Sequence, residues 1–229
     1  MTAVSFGDAN SGIQIGTNQG PIYLPQPSKS RPDLLSTVPF PHNRDFISRD
    51  VLLDQLHKKA SIQGSRVVLI GLGGVGKTQI AIEYCHWVQQ RCPETWVFWI
   101  HTSNVGRFKE SLRDLADQAE IPGRQDRNAN IFQLIGNWLR DEKIRKWILV
   151  LDNVDDDELL RKPFVTCTAA QADSQNNTST QPPLRYLLQS SNGSIIVTSQ
   201  SKGVALDITD HKNLIEVQPM EKIEALALL

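Results

Sequence analysis

The sequence has few of the features that mark secreted, membrane-spanning or nucleic-acid-binding proteins. Its 229 residues contain three cysteines, whose irregular spacing offers neither a disulfide framework nor a zinc site. The formal net charge is −1, so no overall basicity attracts nucleic acid or an anionic membrane. No apolar run approaches the roughly 20 residues of a membrane-spanning helix, and the first residues do not resemble a secretory signal. We expect a cytoplasmic protein with no transmembrane segment and no nucleic-acid partner.

Three stretches of the chain have little helical or strand periodicity, and two of them, 1–24 and 166–183, carry a single charge each. Residues 1–24 are rich in Gly, Asn, Gln and Ser, and residues 25–42 contain five prolines, which disfavour helices and central strands. We interpret the first stretch as disordered in the monomer and the second as an extended linker. The third stretch, 166–183, is polar and aperiodic and is interpreted as a disordered insertion.

From residue 43 to residue 229, apolar β-branched runs alternate with helical patterns. Five runs have the length and composition of buried strands: RVVLI, TWVFWI, KWILVL, SIIVTS and LIEV. Helical spacing is found at about 78–90, 105–119, 129–142 and 183–190. A further helix is predicted before the first strand, with Ser48 as its N-cap. Buried strands that alternate with helices predict an α/β fold with a parallel sheet covered on both faces.

A glycine-rich turn joins the first of these strands to a helix. It satisfies G-x-x-x-x-G-K-[ST] in the strand–turn–helix context that the pattern requires, with residues Gly71-Leu72-Gly73-Gly74-Val75-Gly76-Lys77-Thr78. Glycines let backbone N–H groups approach phosphate oxygens, and the helix adds its positive N-terminal end. Lys77 supplies a charge for the β- and γ-phosphates, and the Thr78 hydroxyl is a ligand for Mg²⁺. The turn predicts an ATP or ADP site; an incidental strand-to-helix turn is the alternative.

A P-loop of this kind requires a second element, an apolar strand that ends in an acid. The apolar residues from Trp147 to Leu151 are followed by Asp152. We predict that Asp152 and Thr78 hold the metal ion. The five histidines are scattered along the chain and are not predicted to form a site.

Several motifs, in order, resemble those of NB-ARC domains. DFISRDVLLDQL is similar to the motif that begins these domains, and GLGGVGKTQIA is similar to their P-loop. WILVLDNVDD is similar to their Walker B motif, and SNGSIIVTSQ to a strand that usually ends in Thr-Thr-Arg. Over residues 43–229 the resemblance implies a P-loop NTPase sheet of order 5-1-4-3-2, truncated at its C-terminal end. It also implies a switch of the STAND class of signalling ATPases. The nucleotide would then contact Ile47, Arg49, Gly71, Gly73, Gly74, Val75, Gly76, Lys77, Thr78 and Gln79.

Three positions depart from the NB-ARC pattern. Asn153 stands where many relatives carry a second acid, and an amide cannot act as a general base. Hydrolysis is therefore expected to be slow unless Asp155 or Asp156 reaches the attacking water, which leaves Asp152 and Asp155 as the candidate catalytic residues. Gln200 replaces the arginine that would sense the γ-phosphate, and Ser48 replaces a glycine of the first motif.

The N-terminal stretch NSGIQIGTNQGPIYL alternates apolar and polar residues around Ile13 and Ile15. It resembles the amyloid-signalling motifs, of the HET-s and sigma kinds, that precede fungal NB-ARC and NACHT domains, and also the core of RHIM segments. A disordered Gly/Asn-rich tail is the alternative. Together the resemblances imply an NLR-like switch that self-associates through its nucleotide-binding domain and N-terminal motif. It would act on an effector with a similar motif, in fungal programmed cell death or non-self response.

The sequence leaves two other functions open. One is a conventional P-loop ATPase or kinase, and the other is a nucleotide-independent amyloid scaffold in which the domain only keeps the tail in solution. Titration with ADP and ATP separates the scaffold from the other two. The rate of ATP hydrolysis separates a slow switch from a fast motor.

Overall fold

A five-stranded parallel sheet lies at the centre of the computed structural model, which describes residues 35–126, 128–163 and 181–220. The strands are β1 Arg66–Ile70, β2 Trp96–His101, β3 Trp147–Asp152, β4 Ser194–Ser199 and β5 Leu214–Glu216. Their spatial order is β2-β3-β4-β1-β5 and every pair is parallel. Read from the other edge, this is the order 5-1-4-3-2. The α/β fold and the strand order are confirmed, and each predicted strand is placed to within one residue at each end.

Helices cover both faces of the sheet. Within the described ranges they are α1 Asp50–Ala60, α2 Lys77–Arg91, α3 Val105–Gln118, α4 Ile131–Leu139, α5 Glu158–Arg161, α6 Pro183–Leu188 and α7 Lys202–Ile208. Successive strand residues point to opposite faces. Val97 and Trp99 therefore pack with α1 and α2, whereas Phe98 and Ile100 pack in a second core with α3, α4, α6 and α7. No helix in these ranges is long and apolar enough to cross a bilayer.

Two helices begin at asparagine caps, and one begins differently from the prediction. The side chain of Asn104 accepts from the Arg107 backbone N at 2.9 Å, and that of Asn130 caps α4 in the same way. The predicted cap of α1, Ser48, is wrong, because the N-cap position is occupied by Arg49. The Ser48 hydroxyl instead donates to the Asp50 carboxylate.

Residues 35–43, which we call the N-terminal strap, lie along β2, whereas the proline content of 25–42 predicts an extended linker. The backbone N of Val97 donates to the Leu35 carbonyl at 3.1 Å, and the Thr37 N donates to the Val97 carbonyl at 3.0 Å. The Trp99 N donates to the Thr37 hydroxyl at 2.8 Å. The prolines of this segment follow the paired residues, so they remove no donor from the ladder.

A buried acid anchors the other end of the strap. Glu83, on α2, is 7% exposed. Its carboxylate accepts from the Asn43 backbone N at 3.2 Å and lies 3.0 Å from the His42 Nε2. The Phe40 carbonyl oxygen lies 3.0 Å from the His86 Nε2. The strap therefore belongs to the folded domain, which begins before residue 43.

The remaining predictions of disorder concern residues outside the described ranges. These are the N-terminal stretch 1–24, the first part of the linker, and most of the insertion at 166–183. Of the insertion, only 181–183 are described, and Pro183 is the first residue of α6.

Candidate functional site

The turn between β1 and α2 lies at the carboxyl end of the sheet, and its glycines are required by geometry. A Cβ on Gly71 would lie 2.3 Å from the Val217 carbonyl oxygen, so a side chain does not fit there. Gly74 and Gly76 have φ of +80° and +92°, a region that disfavours residues with a Cβ. Gly76 is the N-cap of α2, so Lys77 is the first residue of that helix. The loop thus presents backbone and a helix N-terminus on its exposed side.

The Lys77 side chain is hydrogen-bonded to the backbone of the glycine loop. Its Nζ donates to the carbonyl oxygens of Gly71 and Leu72, both at 2.8 Å, and the residue is 8% exposed. Burial lowers the pKa of Lys77, and the negative charges of Asp155 and Asp152 oppose that shift. The direct partners of this buried ammonium are neutral carbonyl dipoles. A phosphate oxygen would be a stronger partner, because charge-assisted hydrogen bonds are roughly twice as strong as neutral ones.

Thr78 and Asp152 meet although they are 74 positions apart in the chain. The Thr78 hydroxyl donates to the Asp152 Oδ1 at 2.8 Å. The Thr198 hydroxyl, on β4, donates to the same oxygen at 2.8 Å. The other carboxylate oxygen lies 3.8 Å from the His101 Nδ1. A hydroxyl and a carboxylate are the hard oxygen donors that Mg²⁺ takes beside phosphate oxygens and water, so this pair fits that ion.

Asp155 is engaged by the residues that end β4. Its carboxylate accepts from the Gln200 backbone N at 2.6 Å and from the Gln200 Nε2 at 3.1 Å. The Ser199 hydroxyl lies 3.2 Å from the same carboxylate and has a nearer acceptor, the Val154 carbonyl, at 2.7 Å. The Gln200 Oε1 would lie 3.1 Å from a Cβ on Gly73, so this side chain lies against the loop. Asp156 accepts from the Glu158 N at 2.9 Å, at the start of α5. Asp155 and Asp156, the two acids considered as substitutes for a second acid at position 153, are thus both hydrogen-bonded within the protein.

Arg49 is the residue of the first motif that reaches the loop. Its guanidinium donates to the Val75 carbonyl at 3.4 Å and to the Gln218 carbonyl at 2.8 Å. It therefore ties the loop to the segment that follows β5. Ile47 is half-buried before α1, and Gln79 is exposed in the first turn of α2.

Thr198 and His101 are the site residues that sequence reasoning missed. His101 had been set aside with the other histidines, but it is the last residue of β2 and lies opposite Asp152 in the parallel register. The carboxyl ends of parallel strands meet at one edge, where α/β proteins bind ligands. The usable signal was therefore the position of each residue near a strand end. Among the residues that the structure describes, no group of three or more His, Cys, Asp or Glu side chains is arranged to hold a metal ion.

No family model matches the chain. A "nucleotide-binding leucine-rich repeat (NLR)-like protein" of Hyaloscypha variabilis is 30% identical to it over 213 residues, which is 91% of this chain and 21% of the relative. The chain thus spans about one fifth of the length of that relative.

Two solved structures are similar in fold. Cdc6p from Pyrobaculum aerophilum has a TM-score of 0.54 and 16% identity over 83% of this chain and 51% of its own. The Aeropyrum pernix ORC2 protein, in its ADPNP–ADP complexes, has a TM-score of 0.50 and 14% identity over 80% and 52%. With its strand order and glycine loop, the described part of the chain has the P-loop NTPase fold.

Proposed function

We propose that this chain binds ATP and ADP at the loop between β1 and α2 and acts as the nucleotide-controlled switch of an NLR-like signalling protein. The observation that carries the proposal is the meeting of Lys77, Thr78 and Asp152 at one edge of the sheet. Lys77 and the loop amides would hold the phosphates, and the helix N-terminus would add its dipole. The similarity to an NLR-like protein supports the choice of a switch rather than a metabolic enzyme.

Mg²⁺ would be held by the Thr78 hydroxyl and Asp152. When bound, it would neutralise charge on the phosphates. In the structure the Thr78 hydroxyl donates a hydrogen bond to Asp152. With the ion bound, the Thr78 oxygen would face the ion instead. Thr198 would continue to orient the carboxylate through its own hydrogen bond.

A switch is favoured over a conventional ATPase by the environment of the candidate bases. Asn153 cannot accept a proton, and Asp155 already accepts two hydrogen bonds from Gln200. Bound ATP would therefore persist, as a switch requires.

The finer part of the proposal concerns the N-terminal stretch 1–24. It would form a cross-β signal when several copies of the nucleotide-binding domain associate, and would recruit an effector that carries a similar motif. The support is the alternation of apolar and polar residues around Ile13 and Ile15, without lysine, arginine or acid between residues 10 and 24. Programmed cell death or a non-self response in a fungus would be the output.

Isothermal titration with ADP and with MgATP tests nucleotide binding directly. Lys77→Ala should weaken both affinities about ten- to a hundredfold, the effect of losing a charge-assisted contact worth roughly 1.5–3 kcal/mol. Lys58→Ala, at an exposed lysine on α1, is the matched control and should bind like the wild type. Equal dissociation constants for the wild type and Lys77→Ala, with both proteins folded by circular dichroism, would refute the assignment.

A further inference from the structure

A separate cavity of about 220 Å³ lies at the amino ends of the strands, whereas the glycine loop lies at their carboxyl ends. Its walls come from α1, from α2 and from the first residues of β3 and β4, whereas Asp152 and Ser199 end those strands at the other edge. An apolar cavity of about 150 Å³ takes up benzene. The larger cavity here has room for a planar molecule of two fused rings.

The walls of this cavity are largely aromatic and aliphatic. The rings of Tyr84 and Trp87 are nearly parallel, 14° apart, with centroids separated by 5.9 Å. The His57 ring lies 4.3 Å from that of Trp87, and Ala60 and Ile148 complete the apolar wall. Such walls favour an aromatic ligand, because flat rings gain both burial and stacking contacts.

One polar group of the wall has no protein partner. Tyr84 is 2% exposed, no hydrogen bond joins its hydroxyl to another residue in the described ranges, and its oxygen is not among the fully enclosed atoms, so it is open to the cavity. The polar groups beside it are satisfied, since the Ser194 hydroxyl donates to the Ile62 carbonyl at 3.1 Å and the Asn192 amide to the Arg140 carbonyl at 2.8 Å. Burial raises the pKa of Tyr84, so its hydroxyl keeps its proton and stays a donor. An occupant with an acceptor atom would satisfy it.

The charges around the cavity select a neutral occupant. The exposed lining residues include Glu94 and Lys146, which carry opposite charges, and the uncharged Gln63. We propose that this cavity is a second ligand site, which binds a neutral two-ring heteroaromatic molecule with its acceptor atom on the Tyr84 hydroxyl. The site is separate from the nucleotide site, because it uses the first residues of β3 and β4 and the last two turns of α2, whereas the nucleotide site uses the other ends of these elements.

Two probes of the same shape test the proposal: quinoline, which has a ring-nitrogen acceptor, and naphthalene, which has none. Each is titrated into the ¹⁵N-labelled full chain near pH 7.5, and amide shifts are followed. Both probes should shift the signals of Trp87, Val88 and Ser194. Tyr84→Phe should lower the ratio of the quinoline affinity to the naphthalene affinity about two- to tenfold, the value of one neutral hydrogen bond, without changing the affinity for naphthalene.

A second variant locates the site. Ala60→Leu places extra side-chain volume in the cavity and should abolish the shifts from both probes, whereas Val51→Leu, at an exposed position of the same helix, should not. The proposal is overturned if quinoline does not bind at millimolar concentration and naphthalene does not bind up to its solubility in water, which would leave water as the occupant. It is also overturned if Tyr84→Phe leaves the ratio of the two affinities unchanged, or if the shifts fall on the glycine loop.

Discussion

Asp155 accepts two hydrogen bonds from Gln200, one from the backbone N at 2.6 Å and one from the side-chain Nε2 at 3.1 Å. Asp155, the candidate general base, is therefore hydrogen-bonded to Gln200, the residue that stands where the resemblance leads us to expect an arginine. Gln200 in turn lies against Gly73. The pair positions a neutral amide, rather than a cation, beside the phosphate loop.

We accordingly expect ATP hydrolysis well below the typical enzyme range of about 1–10³ s⁻¹. Asn153 has φ +66°, a conformation that aspartate tolerates as asparagine does, so Asn153→Asp should preserve the backbone and raise the rate. Phosphate release under single-turnover conditions measures both values. Asn128→Asp, at an exposed position outside the site, controls for added charge. A wild-type rate of several per second, or no response to Asn153→Asp, would contradict the role given to this position.

We expect ATP affinity to depend on Mg²⁺ through Asp152. Asp152→Asn keeps the shape of the side chain but removes its charge, so ATP affinity should lose its dependence on Mg²⁺. In the wild type, chelation of Mg²⁺ with EDTA should weaken ATP binding about tenfold or more, as expected for a charged contact. In the variant the two dissociation constants should converge. Asp207→Asn, at the exposed partner of Arg161, should behave like the wild type. A variant that keeps the full Mg²⁺ effect would remove Asp152 from the site.

The N-terminal strap should loosen when its buried anchor is lost. Glu83→Ala removes the acceptor of the Asn43 N and the partner of His42, contacts worth about 1.5 kcal/mol together. Amide hydrogen exchange at Val97 and Trp99 should then accelerate about tenfold. Exchange at Leu149, inside the sheet, should change little, and Glu110→Ala on α3 is the control. Equal acceleration at Leu149 would mean that the whole domain, rather than the strap, had been destabilised.

The proposal for the N-terminal stretch can be tested on an isolated peptide, without the nucleotide-binding domain. A peptide of residues 1–25 should assemble into thioflavin-positive fibres with a reflection at about 4.7 Å. Proline in place of Ile15 should block assembly, because it removes a ladder donor from the middle of the strand. One copy alone has too few strands to be stable in water, so the monomeric peptide should show no strand signal. If both peptides stay in solution, or both assemble equally, the stretch is only a tail.

The strands and the glycine loop were readable from the sequence because their signals are local. Runs such as RVVLI and SIIVTS are buried along nearly their whole length, so their composition alone marks them. Gly71 and Lys77 follow a fixed spacing that the turn geometry imposes. The strand order was also correct, but it came from resemblance and not from the composition of any strand.

The strap and the network around Asp152 were not readable in this way. Residues 35–43 pair with β2 about sixty positions later, and no local periodicity reports such a pairing. Proline content pointed to a linker, although Leu35 is buried against the sheet. Thr198 and His101 become site residues only because parallel strands bring their carboxyl ends to one edge. Both features depend on contacts between residues far apart in the sequence, which composition does not report.

The strap has a further consequence for a chain whose first residues are expected to form cross-β structure. A strand at the rim of a sheet presents unpaired N–H and C=O groups that recruit foreign strands, and β2 holds that position here. The strap occupies the groups of Val97 and Trp99 that face outward. Later in the strap itself, Pro39 and Pro41 bring no N–H to extend the ladder. The strap thus covers the β2 edge of the sheet. A cross-β assembly of the N-terminal stretch, as proposed above, would find the groups of Val97 and Trp99 at that edge already occupied.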